Sequence, residues 1–309
     1  MRVLIELPTW LGDTIMITPA FQNLTNFLGD PEVVLIGSEV SIEILKNHKL
    51  VKKSIVVNKN YLALFKISKS IGRFDFFFSF RGSIRSTIFK LMVSSNKKFQ
   101  YKGKDFLNRH QVEKYNDFIN KSLQIKIFAG ELYQDKAFSS PLKNEIKKVG
   151  LNPGASYGSS KRWYPSEFAK VAIELSSRYE ILIFGSSNEL DIANEIERKL
   201  LQKGVTNYKN LAGRTNLNEL LDYISKLSLF ITGDSGPMHI AASFKIPTVT
   251  IFGPTNENET SQWMNERGVN IKKNLDCRPC MKRECPLRHH DCMKLVKSKD
   301  ILIAIKNIT

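Results

Sequence analysis

The sequence predicts an α/β protein built from two doubly wound domains with parallel sheets. Apolar runs of strand length alternate with helix-like segments from the first residues onward, and the alternation stops once, near residues 130–149, before it resumes. The strand-like runs are continuously apolar, which is typical of strands buried on both faces of a sheet. The polar stretch 130–149 predicts a linker, so we place the domains at 1–145 and 146–309.

Four strand–helix pairs predict the first domain. "RVLIEL" precedes a helix from about Thr14, and "VVLIG" precedes the helix-like "EVSIEILKNH". "SIVVN" comes before "YLALFKISKSI", and "FDFFFSF" comes before "SIRSTIFKLMV". A chain that repeats this unit lays its strands parallel, because each helix returns the chain to the same edge of the sheet.

Five strand-like runs predict the second domain: "VGLNPGAS", "YEILIFG", a short run near "TNYKNLAG", "SLFITGD" and "IPTVTIFG". The segments between them, such as "PSEFAKVAIELSSR" and "NLNELLDYISKL", have helical spacing. The final "SKDILIAIKNI" predicts a short terminal helix, for which packing against the first domain is an open alternative. Ligands of open α/β sheets bind at the carboxyl ends of the strands, so we expect a ligand cleft between two domains that face each other.

The chain is strongly basic. It has 46 Lys and Arg residues against 30 Asp and Glu residues, a net charge of +16. Residues 51–104 contain thirteen of the basic residues and one acid, Asp75, which gives this stretch a net charge of +12. Such a charge indicates an anionic partner: nucleic acid, a membrane surface or a phosphorylated substrate. Because the stretch is also partly apolar, an anionic lipid surface is one interpretation, and a buried strand and helix with solvated lysines is the other.

Several classes of protein are not indicated. No run of about 18 apolar residues predicts a transmembrane helix, and Glu6, Pro8, Gly12 and Asp13 interrupt the apolar N-terminus that a signal peptide needs. The sequence therefore predicts a cytoplasmic protein whose four cysteines are thiols or metal ligands. It lacks the glycine-rich dinucleotide fingerprint, the Walker A motif and the G-x-S-x-G elbow. It also lacks the D-x-D pair that often holds a metal ion on a sugar nucleotide.

The segment "TGDSGPMHIAA" is the most informative candidate for a ligand site. It follows the apolar run "LFI" and opens a helix, where Gly233 and Gly236 allow a ligand to approach the backbone. Asp234 and Ser235 are placed to cap that helix, and Pro237 suits its first turn. The free N–H groups of a helix N-terminus bind diphosphate well. A capped turn with no ligand is the alternative.

Three further loops lie at predicted strand ends. "NPGASYGSSKRWYP" contains Lys161 and Arg162, which would neutralise the same phosphates unless they are only solvated charges. "FGSSNE" follows another strand, and "LAGRTNL" precedes a helix whose N-cap is Thr215 or Asn216. His239 lies one turn into its helix, within reach of a ligand, although a lone histidine is more often structural.

Four blocks of the chain resemble a known family. They are "LPTWLGDTIMITPAFQNL", "NPGASYGSSKRWYP", "FITGDSGPMHIAASFKIPTVTIFGPT" and "CRPCMKRECPLRHHDCM", and they span Arg2 to Met293, with 51–145 the least recognisable part. Together they resemble the ADP-heptose–lipopolysaccharide heptosyltransferases of glycosyltransferase family 9, most of all the type II enzymes. The resemblance implies a GT-B fold of two Rossmann-like domains facing a central cleft. The acceptor would bind the N-terminal domain and the nucleotide sugar the C-terminal one.

The resemblance also implies a reaction. An inverting, metal-independent enzyme without a required cofactor would transfer L-glycero-D-manno-heptose from ADP-heptose to the first heptose of the lipopolysaccharide inner core. Heptosyltransferase I or III activity, or another GT-B transferase with a different acceptor, is the alternative. A basic nucleic-acid-binding protein is a remote one, since no RRM, KH or helix-turn-helix signature occurs.

The implied partners follow from the acceptor. Kdo-lipid A carries phosphates and carboxylates on the cytoplasmic face of the inner membrane, so residues 51–104 would attach there as a peripheral, anion-binding surface. We also expect a monomer that binds no nucleic acid.

The site residues of the family carry over by position. Asp13 matches the proposed catalytic base of a single displacement, with a helix-capping role as the alternative, and Gly12 would leave room for the acceptor sugar. Lys161 matches the lysine that stabilises the departing ADP. The other matches would contact the donor: Ser156, Tyr157, Thr215, Leu217, Asp234, Ser235, Gly236 and His239.

The cysteines form a cluster with the spacing C-x2-C-x4-C-x6-C, at Cys277, Cys280, Cys285 and Cys292. Four thiols within sixteen residues have a spacing that suits a structural zinc ion. Reduced thiols in a packed loop are the other interpretation. The resemblance covers this segment but does not indicate its role.

Overall fold

Two compact units make up the chain. The computed structural model describes residues 1–57, 60–106, 108–133 and 146–308, and it divides into the units Met1–Asp135 and Lys136–Thr309. The predicted domain boundary at 145/146 adjoins residues 134–145, which lie outside the described residues. Each unit contains one parallel sheet with helices between its strands, which confirms the predicted fold class.

The first unit alternates strands and helices along the chain. Its elements are β1 (Arg2–Glu6), α1 (Leu11–Met16), α2 (Thr18–Phe27), β2 (Glu32–Gly37), α3 (Glu39–Leu45), β3 (Val51–Val56), α4 (Tyr61–Ser70), β4 (Arg73–Ser79), α5 (Ile84–Met92), β5 (Ser94–Gln100) and α6 (Gln111–Leu123). The five strands are parallel in the order β3-β2-β1-β4-β5. The order reverses between β1 and β4, so the segments that follow these strands diverge and leave room at their carboxyl ends.

Burial explains why the apolar runs occupy the middle of this sheet. Val3, Ile5 and Phe77 in the central strands are 0% exposed, and burying a side chain of this kind contributes about 1.5–3 kcal/mol. The helices that follow β2 and β4 begin at serine N-caps. The hydroxyl oxygens of Ser38 and Ser83 each accept a hydrogen bond from a backbone N–H in the first turn of their helix.

Three local features of the first unit differ from the sequence expectation. The helix after β1 begins at Leu11, not near Thr14, and it is followed at once by α2. Strand β5 was not predicted because it is a polar edge strand without an apolar run. Helix α6 was not predicted because polar residues dominate it. It is fixed by a capping box of His110 and Glu113.

The second unit repeats the same principle with one more strand. Its elements are β6 (Lys148–Asn152), α7 (Pro165–Leu175), β7 (Glu180–Ile183), α8 (Leu190–Gln202), β8 (Tyr208–Asn210), α9 (Leu217–Ser225), β9 (Leu229–Gly233), α10 (Gly236–Ser243), β10 (Thr248–Ile251), α11 (Glu257–Thr260), β11 (Gly268–Ile271), α12 (Asp291–Lys294) and α13 (Ser298–Ile308). The six parallel strands have the order β11-β10-β9-β6-β7-β8. The order reverses between β6 and β9, which defines a second switch point.

The terminal helix belongs to the core of the second unit. Ile301, Ala304 and Ile305 of α13 are buried and join the same apolar cluster as residues of α7 and β10. Among the described residues, none of the helices is both long and apolar enough to span a bilayer.

Candidate active site

Polar and charged side chains collect at the switch point of each sheet. In the first unit these side chains come from the segments after β1 and β4, together with one residue of α6. In the second unit they come from the segments after β6 and β9. Because parallel strands end at the same edge, this topology brings together residues that are far apart in the sequence. Each switch point has its own chemistry.

Asp13 in the first unit is held by a neutral hydrogen-bond donor. It is half-buried in the first turn of α1, and the Tyr115 hydroxyl donates to its Oδ1 at 2.9 Å. Burial raises the pKa of Tyr115 well above its usual value, and the negative charge of Asp13 raises it further. Tyr115 therefore stays protonated and orients the carboxylate without neutralising it.

The helix ends show whether Asp13 is the N-cap of a helix. The N-caps of α1 and α2 are Trp10 and Ile17, so Asp13 is the N-cap of neither helix. Gly12 lies beside it in the same turn. Tyr115 is anchored in an aromatic cluster, where its ring lies 4.9 Å from that of Tyr101. Asp13 is the acidic residue of the first turn of α1, and its catalytic assignment stays a prediction.

Glu6 is a second carboxylate at this switch point, and the sequence interpretation gave it no role. It ends β1, is 3% exposed, and accepts hydrogen bonds from Ser79 Oγ at 2.6 Å and Ser86 Oγ at 3.0 Å. Arg81 Nη1 lies 3.8 Å from the Glu6 Oε1. Burial raises the pKa of Glu6 and outweighs these partners, which lower it. The only sequence signal is an acid at the end of an apolar strand.

Lys161 and Asp234 form a close ion pair at the switch point of the second unit. Lys161 Nζ donates to Asp234 Oδ2 at 2.6 Å and to the Asp234 carbonyl at 3.2 Å. The two side chains are only 11% and 5% exposed. Thr255 Oγ1 donates to the same carboxylate oxygen at 2.6 Å. The ammonium also lies 4.7 Å from the centre of the Tyr157 ring.

Helix α10 begins next to this ion pair. Its N-cap is Ser235, whose Oγ accepts a hydrogen bond from Asn152 Nδ2 at 3.2 Å, and Pro237 lies in the first turn as predicted. A Cβ on Gly233 would lie 3.1 Å from the Lys161 carbonyl, so this glycine permits the close approach of two backbones. Asp234 binds the lysine, and the Ser235 side chain makes no capping hydrogen bond, so the predicted side-chain capping by these two residues is wrong. The first-turn N–H groups and the ammonium together suit a diphosphate.

The remaining predicted donor contacts are distributed around this edge. Gly236 opens α10, and His239 is buried one turn further on. Ser156 is exposed and Tyr157 half-buried on the loop after β6. Two more predicted contacts, Thr215 and Leu217, flank the N-cap of α9, which is Asn216 in a capping box with Glu219. That loop follows β8, two strands away from β6, so it does not adjoin the switch point.

The four cysteines surround one small space. Cys277, Cys280, Cys285 and Cys292 line it together with His289 and His290. All four are free thiols. Burial and the neighbouring thiols raise the pKa of Cys292 to about 11. Within the part of the chain that the structure describes, no group of three or more His, Cys, Asp or Glu side chains is placed to hold a metal ion.

Two doubly wound α/β units in one chain, each with polar side chains at its switch point, are typical of GT-B glycosyltransferases. Comparison with known proteins gives the family. Residues 65–290 match the family model described as "Glycosyltransferase family 9 (heptosyltransferase)". The chain belongs to this family, which confirms the predicted family and the predicted transferase class.

Individual relatives support the same conclusion. The chain is 40% identical to a lipooligosaccharide heptosyltransferase 2 of Campylobacter jejuni, over 100% of its own length and 98% of the relative. In fold it is similar to the ADP-heptose lipopolysaccharide heptosyltransferase II of Escherichia coli, with a TM-score of 0.80 at 20% identity, covering 100% of this chain and 98% of that one. A family 9 glycosyltransferase of Veillonella parvula matches with a TM-score of 0.81 at 18% identity, covering 99% and 96%.

Proposed function

We propose that this glycosyltransferase moves L-glycero-D-manno-heptose from ADP-heptose to the first heptose of a lipopolysaccharide inner core, with inversion and without a metal ion. The observation that carries the donor half of this proposal is the Lys161–Asp234 ion pair beside the first turn of α10. The acceptor half is supported by full-length similarity to a relative described as a heptosyltransferase 2.

The donor diphosphate is bound by α10 and Lys161. The free N–H groups and the positive end of the helix dipole attract the phosphates. An ammonium has three N–H donors, and two of those of Lys161 are directed to Asp234. The third N–H is directed to a phosphate oxygen when the donor is bound. As the bond to heptose breaks, negative charge develops on ADP, and the lysine stabilises that charge.

The acceptor hydroxyl is activated by Asp13. In a single displacement this hydroxyl attacks the anomeric carbon from the face opposite the leaving group, and it needs a base to accept its proton. Tyr115 donates to one carboxylate oxygen of Asp13, and this hydrogen bond orients the carboxylate. Gly12 next to it leaves space for the acceptor sugar.

The transferase works at an anionic membrane surface, to which helices α4 and α5 attach. The two helices contact each other, and they expose Leu62 and Ile84 to 72% and 80%. Lys66 and Lys69 are exposed on α4. Exposed apolar side chains bury themselves in the lipid, and neighbouring lysines attract its anionic headgroups, so both contribute to binding.

Vesicle binding tests this attachment. Vesicles with anionic lipid should bind the protein more tightly than neutral ones, and added salt should weaken the binding. The double variant K66E/K69E should reduce the binding. The matched double variant R198E/K203E, with exposed residues in the second unit, should leave it unchanged. Equal binding to neutral and anionic vesicles would overturn the attachment.

Acceptors of defined core length test the reaction. The protein is incubated with ADP-heptose and Kdo-lipid A that carries no heptose, one heptose or two heptoses. Heptose should be added to the acceptor with one heptose. Addition to the heptose-free acceptor, or to the one with two, would replace this proposal by heptosyltransferase I or III activity. No transfer to any of them would reject it.

A further inference from the structure

The loop that carries Lys161 is bound on its other side by the cysteine segment, defined here as residues 277–292. Three successive backbone carbonyls of this segment accept hydrogen bonds from the loop. Tyr157 Oη donates to the Met281 carbonyl at 2.7 Å. Ser160 Oγ donates to the Lys282 carbonyl at 2.6 Å, and the Ser160 N–H donates to the Arg283 carbonyl at 3.1 Å.

The backbones of the loop and the cysteine segment approach closely. A Cβ on Gly158 would lie 2.3 Å from the Arg283 carbonyl oxygen, a separation that side-chain atoms do not adopt. The Arg283 guanidinium lies 5.5 Å from the centre of the Tyr157 ring, the same ring that lies near the Lys161 ammonium. The loop is therefore fitted to this segment over several residues.

His290 completes the contact at the residue before Lys161. Its Nε2 lies 2.9 Å from the Ser160 carbonyl oxygen, and its Nδ1 lies 3.3 Å from Tyr164 Oη. A neutral ring with its proton on Nε2 donates to Ser160 and accepts from Tyr164. The N–H, the hydroxyl and the carbonyl of Ser160, which is 2% exposed, are then all bonded to the cysteine segment.

We propose that Ser160 and His290 are positioning residues, through which the cysteine segment fixes the place of the Lys161 ammonium for the departing diphosphate. This inference rests on the proposed role of Lys161. Asp234 binds the Lys161 ammonium. The hydrogen bonds of Ser160 to the cysteine segment fix the backbone from which the lysine side chain extends. Catalytic geometry is sensitive to such placement, because a shift of about 1 Å costs on the order of a hundredfold in rate.

Substitutions at His290 test the inference in the full-length enzyme. H290A should lower kcat about ten- to hundredfold and change the KM for ADP-heptose less. The control variant H289A should keep the wild-type kcat. His289 is the matched control, because it is exposed and its Nδ1 accepts a hydrogen bond from the Asp291 N–H at 3.0 Å. H290Q should recover much of the rate, since its amide nitrogen is able to donate where Nε2 does. If H290A does not fold, S160A tests the same contact, because it removes the hydrogen bond from Ser160 Oγ to the Lys282 carbonyl.

The double variant K161A/H290A separates this inference from the proposed function. If His290 acts through Lys161, the double variant should be no slower than K161A alone. Additive losses, or a loss in H290A that only follows the folded fraction in a thermal melt, would overturn the positioning role. A wild-type rate in K161A would instead reject the proposed function of Lys161. A slow K161A beside a normal H290A would reject this inference alone.

Discussion

The two switch points occupy equivalent places in their sheets, but the carboxylate at each one has a different kind of partner. At the first, Asp13 is held by the neutral hydroxyl of Tyr115. At the second, Asp234 is paired with the charged Lys161 at 2.6 Å. An ion pair with an ammonium lowers the basicity of a carboxylate more than a hydrogen bond from a neutral hydroxyl does, so the two carboxylates suit different tasks. We therefore propose that the same topology provides a base at one site and an anion-binding group at the other.

The largest expected effect comes from removing the base. D13N keeps the shape of the side chain and an oxygen that accepts the Tyr115 hydrogen bond, but it is not able to accept the acceptor proton. Turnover should fall about 10²–10⁴-fold, and the thermal unfolding midpoint should change little. Turnover close to the wild-type rate would show that Asp13 and Asp234 do not differ in the proposed way.

The next largest effect tests the ion pair. K161A should slow transfer about 10²–10³-fold. It should also lower the free energy of unfolding by about 1–3 kcal/mol, because it leaves a buried carboxylate with Thr255 as its remaining donor. The double variant K161A/D234N should regain the stability but not the rate, as measured by urea unfolding and a transfer assay. Recovery of both would mean that the pair is only structural.

The sequence predicted the strands and the loops that carry the two carboxylates and the lysine, but not the residues that donate hydrogen bonds to the carboxylates. The apolar runs and the turn "TGDSGPM" placed Asp13, Lys161 and Asp234 at strand ends, because local pattern decides where a strand stops. It did not indicate Tyr115, because the contact with Asp13 crosses 102 positions and only the packed fold brings the two residues together. Thr255 was missed for the same reason, since only the packed sheet brings it to Asp234.

A smaller effect tests the neutral donor. Y115F keeps the ring in its aromatic cluster and removes the hydrogen bond to Asp13. Turnover should fall about five- to tenfold, which is the kinetic equivalent of one hydrogen bond. Y101F is the control, because that hydroxyl accepts from Gln111 Nε2 in the same cluster. If the two variants lose activity equally, the hydroxyl of Tyr115 has no special role at Asp13.

The smallest effect concerns Glu6, the buried carboxylate of the first switch point to which the proposed reaction gives no role. Because its pKa is raised in the folded protein, folding holds a proton that the unfolded chain releases, so Glu6 costs stability as the pH rises above the usual value of about 4.5. E6Q has no carboxyl group at this position, so its stability does not depend on pH in this way. The stability of wild type relative to E6Q should fall between pH 4 and pH 7, by roughly 1.4 kcal/mol for each unit by which the pKa is raised. Urea unfolding at both pH values measures it, and a constant difference would contradict it.

A crystal structure with bound ADP tests the central claim most directly. The diphosphate should lie at the first turn of α10, with a phosphate oxygen within hydrogen-bond distance of Lys161 Nζ. ADP bound to the first unit, or to the second unit away from Asp234, would contradict the division of roles between the two switch points.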